Sequence, residues 1–181
     1  MRLLICAAVA ATLALAGCVP IPIAQKAYVP NPSDTTPRHG SGCAFNEART
    51  TGDRKVGDAT VSVSLSVEDK AGETARARLW LFVDRPASSK RVSVTASRIR
   101  LLDDGRTLTA RPVSFEEKTV KNGTHSTAVL VFTSPSGMGE KLSLTFDPGA
   151  IRIGGRAIPF APIRFEKKEG PAIYIFPCIP T

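Results

Sequence analysis

The sequence is poor in the residues from which active sites and metal centres are built. It has 2 histidines and 4 cysteines in 181 residues. A hydrolytic triad needs a base beside a nucleophile, but His39 lies in a proline-rich segment and His125 follows a predicted turn. His39 and Cys43 would supply two ligands where structural zinc takes four. Glu116 and Glu117 would point to opposite faces of a strand. We therefore expect no catalytic residue, metal or cofactor, and a non-enzymatic role is favoured.

The chain also lacks an apolar run long enough for a comfortable transmembrane helix. Residues 3–16 are uncharged and follow Met1-Arg2, whereas spanning a bilayer takes about 20 apolar residues. Pro20 and Pro22 follow soon after. A short basic start, an apolar core and small residues at its end are typical of a secretory signal, so the sequence predicts an exported protein.

The end of this run, Leu15-Ala16-Gly17-Cys18, resembles the lipobox of bacterial lipoproteins. The resemblance implies removal of a signal peptide, residues 1–17, a diacylglyceryl group on the Cys18 thiol and acylation of the new amino terminus. It also implies that the residue after the lipidated cysteine influences whether the inner or the outer membrane holds the protein. Because Val19 stands where an Asp would favour inner-membrane retention, the outer membrane is favoured, facing the periplasm. A plain signal peptide and a transmembrane helix are the alternatives.

After Cys18 the sequence predicts a tether and then one domain. Residues 19–42 contain five prolines and no apolar periodicity. Such a segment is semi-rigid and could extend to about 70 Å. We assign residues 18–42 to the lipidated cysteine and a proline-rich tether, and residues 43–181 to the folded domain. A docking peptide read by a partner is the alternative role for the tether.

The domain shows the two-residue alternation of β-strands. Apolar and polar residues alternate over residues 61–68, 75–79, 92–101 and 142–146, as in half-buried strands. Trp80 and Phe82 make the second half of the strand at 75–84 apolar on both faces, which predicts a central position or one under a loop. Along residues 92–101 the apolar positions shift from even to odd residue numbers, which predicts a bulge or bend near Ala96-Ser97. No window keeps a helical period.

Hairpin turns and prolines complete the fold prediction. Asp104-Gly105, Asn122-Gly123 and Gly154-Gly155 suit two-residue turns, which need positive φ angles. Pro159 and Pro162 place the strand after Gly155 at a sheet edge. We predict an all-β, antiparallel β-sandwich, immunoglobulin-like in the broad sense, with a small β-barrel as the alternative.

The two cysteines that remain after processing predict a disulfide. Cys6 leaves with the signal and Cys18 is lipidated in this interpretation, which leaves Cys43 and Cys178. An even pair in an oxidising compartment is usually bonded. We expect a Cys43–Cys178 disulfide.

Basic residues outnumber acidic ones, 24 to 16, for a net charge of +8. In an exported protein this points to anionic envelope material, namely lipid headgroups, lipopolysaccharide phosphates or cell-wall carboxylates, and not to nucleic acid. Many arginines occupy outward positions of predicted strands. They are Arg76, Arg78, Arg98, Arg100, Arg106, Arg111, Arg152, Arg156 and Arg164. The candidate basic binding surface is Arg76, Arg78, Arg98 and Arg100, and the alternative is an ordinary solvated face that protects sheet edges.

These features predict a membrane-anchored envelope lipoprotein with a non-enzymatic binding or structural adaptor role. Its partners would be the membrane, through the lipid anchor, and an envelope protein or an anionic envelope polymer. The alternative is an enzyme or enzyme inhibitor with a site on loops at one end of the sandwich, where residues 85–90, 134–139 and 166–171 would cluster.

Overall fold

The structure is a computed structural model that describes residues 19–38, 44–46, 49–69, 73–86, 91–120 and 123–176. Strands dominate these ranges, and their helical content is one 3-10 turn, Ala96–Arg98. No helix within them is both long and apolar enough to cross a bilayer. The strands are β1 (Val19–Pro30), β2 (Thr36–Arg38), β3 (Ala44–Asn46), β4 (Thr51–Val56), β5 (Ala59–Glu68), β6 (Ala75–Arg85), β7 (Val92–Val94), β8 (Ile99–Asp103), β9 (Arg106–Thr109), β10 (Arg111–Val120), β11 (Gly123–Ser134), β12 (Lys141–Phe146), β13 (Ile151–Ile153), β14 (Arg156–Ala157) and β15 (Ile163–Phe176).

The strands form three sheets. Sheet I has the order β10-β11-β6-β5-β4-β2. Sheet II has the order β1-β15-β12-β8-β9, with β3 also paired to β15, and sheet III has the order β14-β13-β7. The strand pairs whose register is defined are antiparallel.

The chain divides into two compact units. The larger comprises residues 26–40 and 48–168 and carries the three-sheet core. The smaller comprises residues 1–25, 41–47 and 169–181. Within its described part, β3 runs antiparallel to the end of β15, with Ala44 opposite Tyr174.

Alternation along the strands produces one core between the sheets. On β5, Val61 and Val63 are fully buried and lie opposite Val83 and Leu81 of β6. The same cluster includes, from sheet II, the buried residues Ile99, Leu101, Leu142, Leu144, Ile163 and Phe165. Burying a side chain of this size contributes about 1.5–3 kcal/mol. The fold is therefore the predicted all-β antiparallel sandwich, immunoglobulin-like in the broad sense that antiparallel sheets face each other across one core, and it is not closed into a barrel.

Two of the three predicted turns lie where the sequence placed them. Asp104 and Gly105 have φ angles of 45° and 81° between β8 and β9, and Gly154 and Gly155 have 60° and 79° between β13 and β14. The prediction of Asn122-Gly123 as the turn pair is wrong by one residue, because Gly123 is the first residue of β11 and pairs with Val120; residues 121–122 lie outside the described ranges. The 3-10 turn at 96–98 is the predicted bend.

The proline-rich segment differs from its prediction as a tether that ends at residue 42. Its described part contains β1 and β2, and residues 26–40 belong to the larger unit. Tyr28 is 4% exposed and packs in the core. Both strands lie at sheet edges, where proline is tolerated because an edge strand leaves part of its backbone unpaired. The folded domain therefore begins well before Cys43.

Candidate functional site

The four arginines of the predicted basic surface do not share a face. Arg76 and Arg78 are exposed on β6 of sheet I. Arg98 lies in the 3-10 turn, and Arg100 is exposed on β8 of sheet II. The chain crosses from one sheet to another between these pairs, and the outward faces of two packed sheets point in opposite directions. The predicted surface is therefore divided in two.

Arg98 and Arg100 make contacts within the protein. Arg98 donates to the Pro148 carbonyl, and Arg100 forms an ion pair with Asp147. The Asp147-Pro148-Gly149 turn follows β12, and within it the Asp147 carbonyl accepts the Ala150 amide at 2.9 Å while Gly149 has a positive φ of 79°. Arg98 and Arg100 therefore hold a turn, which leaves them poorly suited to binding an external partner.

A second intramolecular pair ties the segment after β1 to β15. Arg164 donates to both carboxylate oxygens of Asp34, at 2.9 and 2.8 Å, and to the Ser33 hydroxyl at 2.9 Å. These hydrogen bonds from Arg164 lower the pKa of Asp34 to about 2. Asp34 therefore stays charged, and Arg164 is committed to this contact.

Arg106 holds the loop after β11. It forms an ion pair with Asp103, which is fully buried, and donates to Ser134 at 3.1 Å. Asp103 also accepts the Gly139 amide at 2.9 Å. The Tyr28 hydroxyl donates to the Gly139 carbonyl at 2.7 Å. Burial and nearby carboxylates raise the pKa of Tyr28 to about 12, so its hydroxyl remains a donor.

Three arginines of sheet I line a surface groove of about 380 Å³. Arg76 and Arg78 come from β6 and Arg111 from the start of β10. We call this the arginine groove, and its lining is Glu68, Arg76, Arg78, Arg111, Val113, Val131 and Thr133.

Strand register explains why these residues converge. Val131 of β11 lies opposite Arg78 on one side and Arg111 on the other, so all three share one face of the sheet. Val113 falls at a register shift between Pro112 and Ser114 and is 62% exposed. The groove thus combines guanidinium groups with an exposed apolar wall.

The groove carries an excess of positive charge. Its one carboxylate, Glu68, lies 4.0 Å from Arg78, and both side chains are about half exposed or more, so this pair is weak. The Arg78 guanidinium also lies 5.7 Å from the ring centroid of Trp80. Within the ranges that the structure describes, the side chains of Arg76 and Arg111 make no ion pair or hydrogen bond. Two guanidiniums are therefore available to an external anion.

Sequence reasoning named Arg111 as outward-facing but did not include it in the candidate surface. The predicted hairpin at Asn122-Gly123 would pair β10 with β11 but would set Arg111 opposite Ser134. The observed register has Val120 opposite Gly123 and shifts again between Pro112 and Ser114, which sets Arg111 opposite Val131, and the pairing of β11 with β6 brings Arg78 beside them.

The loops of the enzymatic alternative do not form one cluster. Arg85 lies opposite Thr124, whereas Ala75 lies opposite Ser134 at the other end of the same strand pair. Loop 134–139 is therefore at the opposite end of sheet I from residue 85. Residues 166–171 belong to β15 and are not a loop.

His125 is part of an exposed ion pair. It pairs with Asp84 on an open sheet face, where its side chain is 41% exposed. Among the described residues, no three potential metal ligands cluster together. A larger cavity of about 540 Å³ on sheet II is lined by three cations, Lys141, Arg164 and Lys168, of which Lys168 pairs with Glu166 and Arg164 with Asp34.

The cysteine predictions lie outside the described residues. This applies to Cys18, the predicted lipidation site, and to Cys43 and Cys178, the predicted disulfide. They remain predictions.

Comparison with known proteins adds no relative to this picture. No family model matches the chain, and neither the curated proteins nor the solved structures gave a match. Fold and site together define an all-β sandwich that presents an arginine-lined groove on one sheet face.

Proposed function

We propose that this protein is a membrane-anchored envelope lipoprotein with a non-enzymatic binding or adaptor role, and that the arginine groove is its contact surface for an anionic envelope component. The observation that carries the proposal is the convergence of Arg76, Arg78 and Arg111 on one groove. Unlike Arg98 and Arg100, which hold a turn, Arg76 and Arg111 have no intramolecular partner among the described residues.

The chemistry of the groove fits a phosphate or carboxylate ligand. Guanidinium is planar, always charged and suited to bidentate bonds with both groups. Val113 and Val131 add apolar contact beside the charges. The envelope location rests on the resemblance of Leu15-Ala16-Gly17-Cys18 to a lipobox, and the preference for the outer membrane rests on Val19.

Charge reversal in the groove should abolish retention on purified envelope fragments at moderate salt. We expect the R76E/R111E variant to lose at least tenfold in retention, because two attractive charges become repulsive. The matched control is R91E/R156E, which changes the net charge equally. Arg91 and Arg156 are also exposed but lie in the region of sheet III.

The control separates a local site from the overall positive charge. The proposal predicts near-normal retention of R91E/R156E and weaker binding of the parent protein as salt rises. Equal losses in both double variants, or unchanged retention of R76E/R111E, would contradict the groove as the contact surface. Circular dichroism of each variant checks that the sandwich is intact.

A further inference from the structure

We infer that the anion held by the arginine groove is the phosphate headgroup of an anionic phospholipid in the same bilayer that holds the Cys18 anchor. This inference rests on the proposed function. It adds a second, electrostatic contact with the membrane to the covalent lipid, and it assigns the groove a single occupant.

Contacts connect the groove to the segment that leads to the anchor. Tyr28 donates to the Gly139 carbonyl at 2.7 Å. The neighbouring Met138 amide donates to Asp69 at 3.4 Å. Asp69 directly follows Glu68, which lines the groove. Tyr28 therefore lies at the same end of the sandwich as the groove.

Strand register gives the same placement independently. Arg76 lies opposite Glu68 at the end of β5 and opposite Thr133 at the end of β11. Loop 134–139, whose Gly139 carbonyl accepts the Tyr28 hydroxyl, starts one residue after Thr133. Arg111 begins β10 at this same end. The groove and the entry of the chain into the larger unit thus share one end of sheet I.

The chain between the anchor and this end is short. Lys26, the first residue of the larger unit, follows Cys18 by eight residues, which span at most about 29 Å when fully extended. A tether of the length predicted from sequence could have held the domain about 70 Å away. Because the larger unit begins at Lys26, its first residue lies within about 29 Å of the anchored Cys18.

The groove suits an anionic bilayer surface. Each Lys or Arg near such a surface contributes about 1 kcal/mol, or about fivefold in binding. The exposed Val113 can enter the headgroup region beside Arg111, as apolar side chains do in interfacial proteins. Glu68 opposes this attraction, and so do Asp69 and Glu73, which follow it in the sequence. Of these, Asp69 is engaged by the Met138 amide.

Trp80 reports directly on this contact, because it is the single tryptophan of the sequence and stacks beside Arg78. The lipidated mature protein would be reconstituted into vesicles of phosphatidylcholine with or without about 30 mol% phosphatidylglycerol. A trace of phosphatidylcholine with a nitroxide on its headgroup quenches tryptophan at the surface. We expect strong Trp80 quenching in the anionic vesicles and weak quenching in the zwitterionic ones.

Neutralising Arg76 and Arg111 tests whether the groove causes this quenching. In R76Q/R111Q, with Arg78 kept beside Trp80, the docked-to-undocked ratio should fall about 25-fold. The R91Q/R156Q control should quench like the parent protein. Equal quenching in both vesicle types, or unchanged quenching in R76Q/R111Q, would overturn the inference.

The outcomes separate this inference from the proposed function. If Cys18 carries no lipid, the protein does not reconstitute, and the lipoprotein assignment itself fails. If the protein is anchored but Trp80 is not quenched, while R76E/R111E still loses retention on polymeric cell-wall fragments free of lipid, the groove binds an envelope polymer. The function then stands and the headgroup inference is rejected.

Discussion

Replacing Glu117 with alanine is expected to lower the free energy of unfolding by about 3 kcal/mol, one of the two largest effects we predict. Glu117 forms an ion pair with Arg85, whose side chain is 1% exposed. It also accepts the Ser126 hydroxyl at 3.0 Å. Removing the carboxylate takes one charged partner from a buried guanidinium and an acceptor from the Ser126 hydroxyl, and both losses are costly.

The adjacent residue provides the matched control. Glu116 is exposed and lies on the opposite face of β10, across from Thr127, so E116A should change stability by less than about 0.5 kcal/mol. Urea unfolding followed by Trp80 fluorescence measures both variants. Similar midpoints for E116A and E117A would show that the Arg85–Glu117 pair contributes little.

Removing the predicted Cys43–Cys178 disulfide should destabilise the protein by up to about 5 kcal/mol, because the bond would close a loop of more than 100 residues in the unfolded chain. The chain segments that precede and follow these cysteines in sequence are paired. Ala44, next to Cys43, lies opposite Tyr174 on β15, four residues before Cys178. Both cysteines lie outside the described residues, so the bond stays a prediction.

The disulfide is tested by unfolding the C43S/C178S variant beside the parent, with and without reductant. We expect the reduced parent to match the variant. Thiol titration of the denatured, unreduced parent gives a second readout that does not require a stable variant. No reactive thiol is expected at these two positions, and two per chain would contradict the bond.

The fold was predictable because its strands follow a simple physical rule. Val61, Val63 and Leu65 alternate with serines, and one face of such a strand must be buried. Gly105 and Gly155 permit the positive φ angles of their turns. These local signals are sufficient for an antiparallel sandwich and do not depend on which strands pair at long range.

The extent of the domain was not predictable from the same rules. Prolines in residues 19–42 indicated a tether, yet Tyr28 is buried and Pro30 ends an edge strand. An edge strand tolerates proline, but its composition then resembles that of a linker. The sequence does not reveal whether a partner strand, here β15, is available to receive it.

The site was predicted in part. Arg76 and Arg78 were correctly placed on an outward strand face, because alternation within one strand decides that. Their grouping with Arg98 and Arg100 failed because it needed the sheet to which β8 belongs. Arg111 was left out of the surface for the same reason, since its position beside Arg78 depends on the register of β10, β11 and β6.

The mass of the amino-terminal peptide from the membrane fraction tests the central claim, that this protein acts at the bilayer as a lipoprotein. We expect a peptide that starts at Cys18 and carries a diacylglyceryl group and an amide-linked acyl chain, and we expect that a C18S variant is not processed in this way. An unmodified Cys18 in a soluble mature protein that starts at another residue would contradict the lipoprotein proposal.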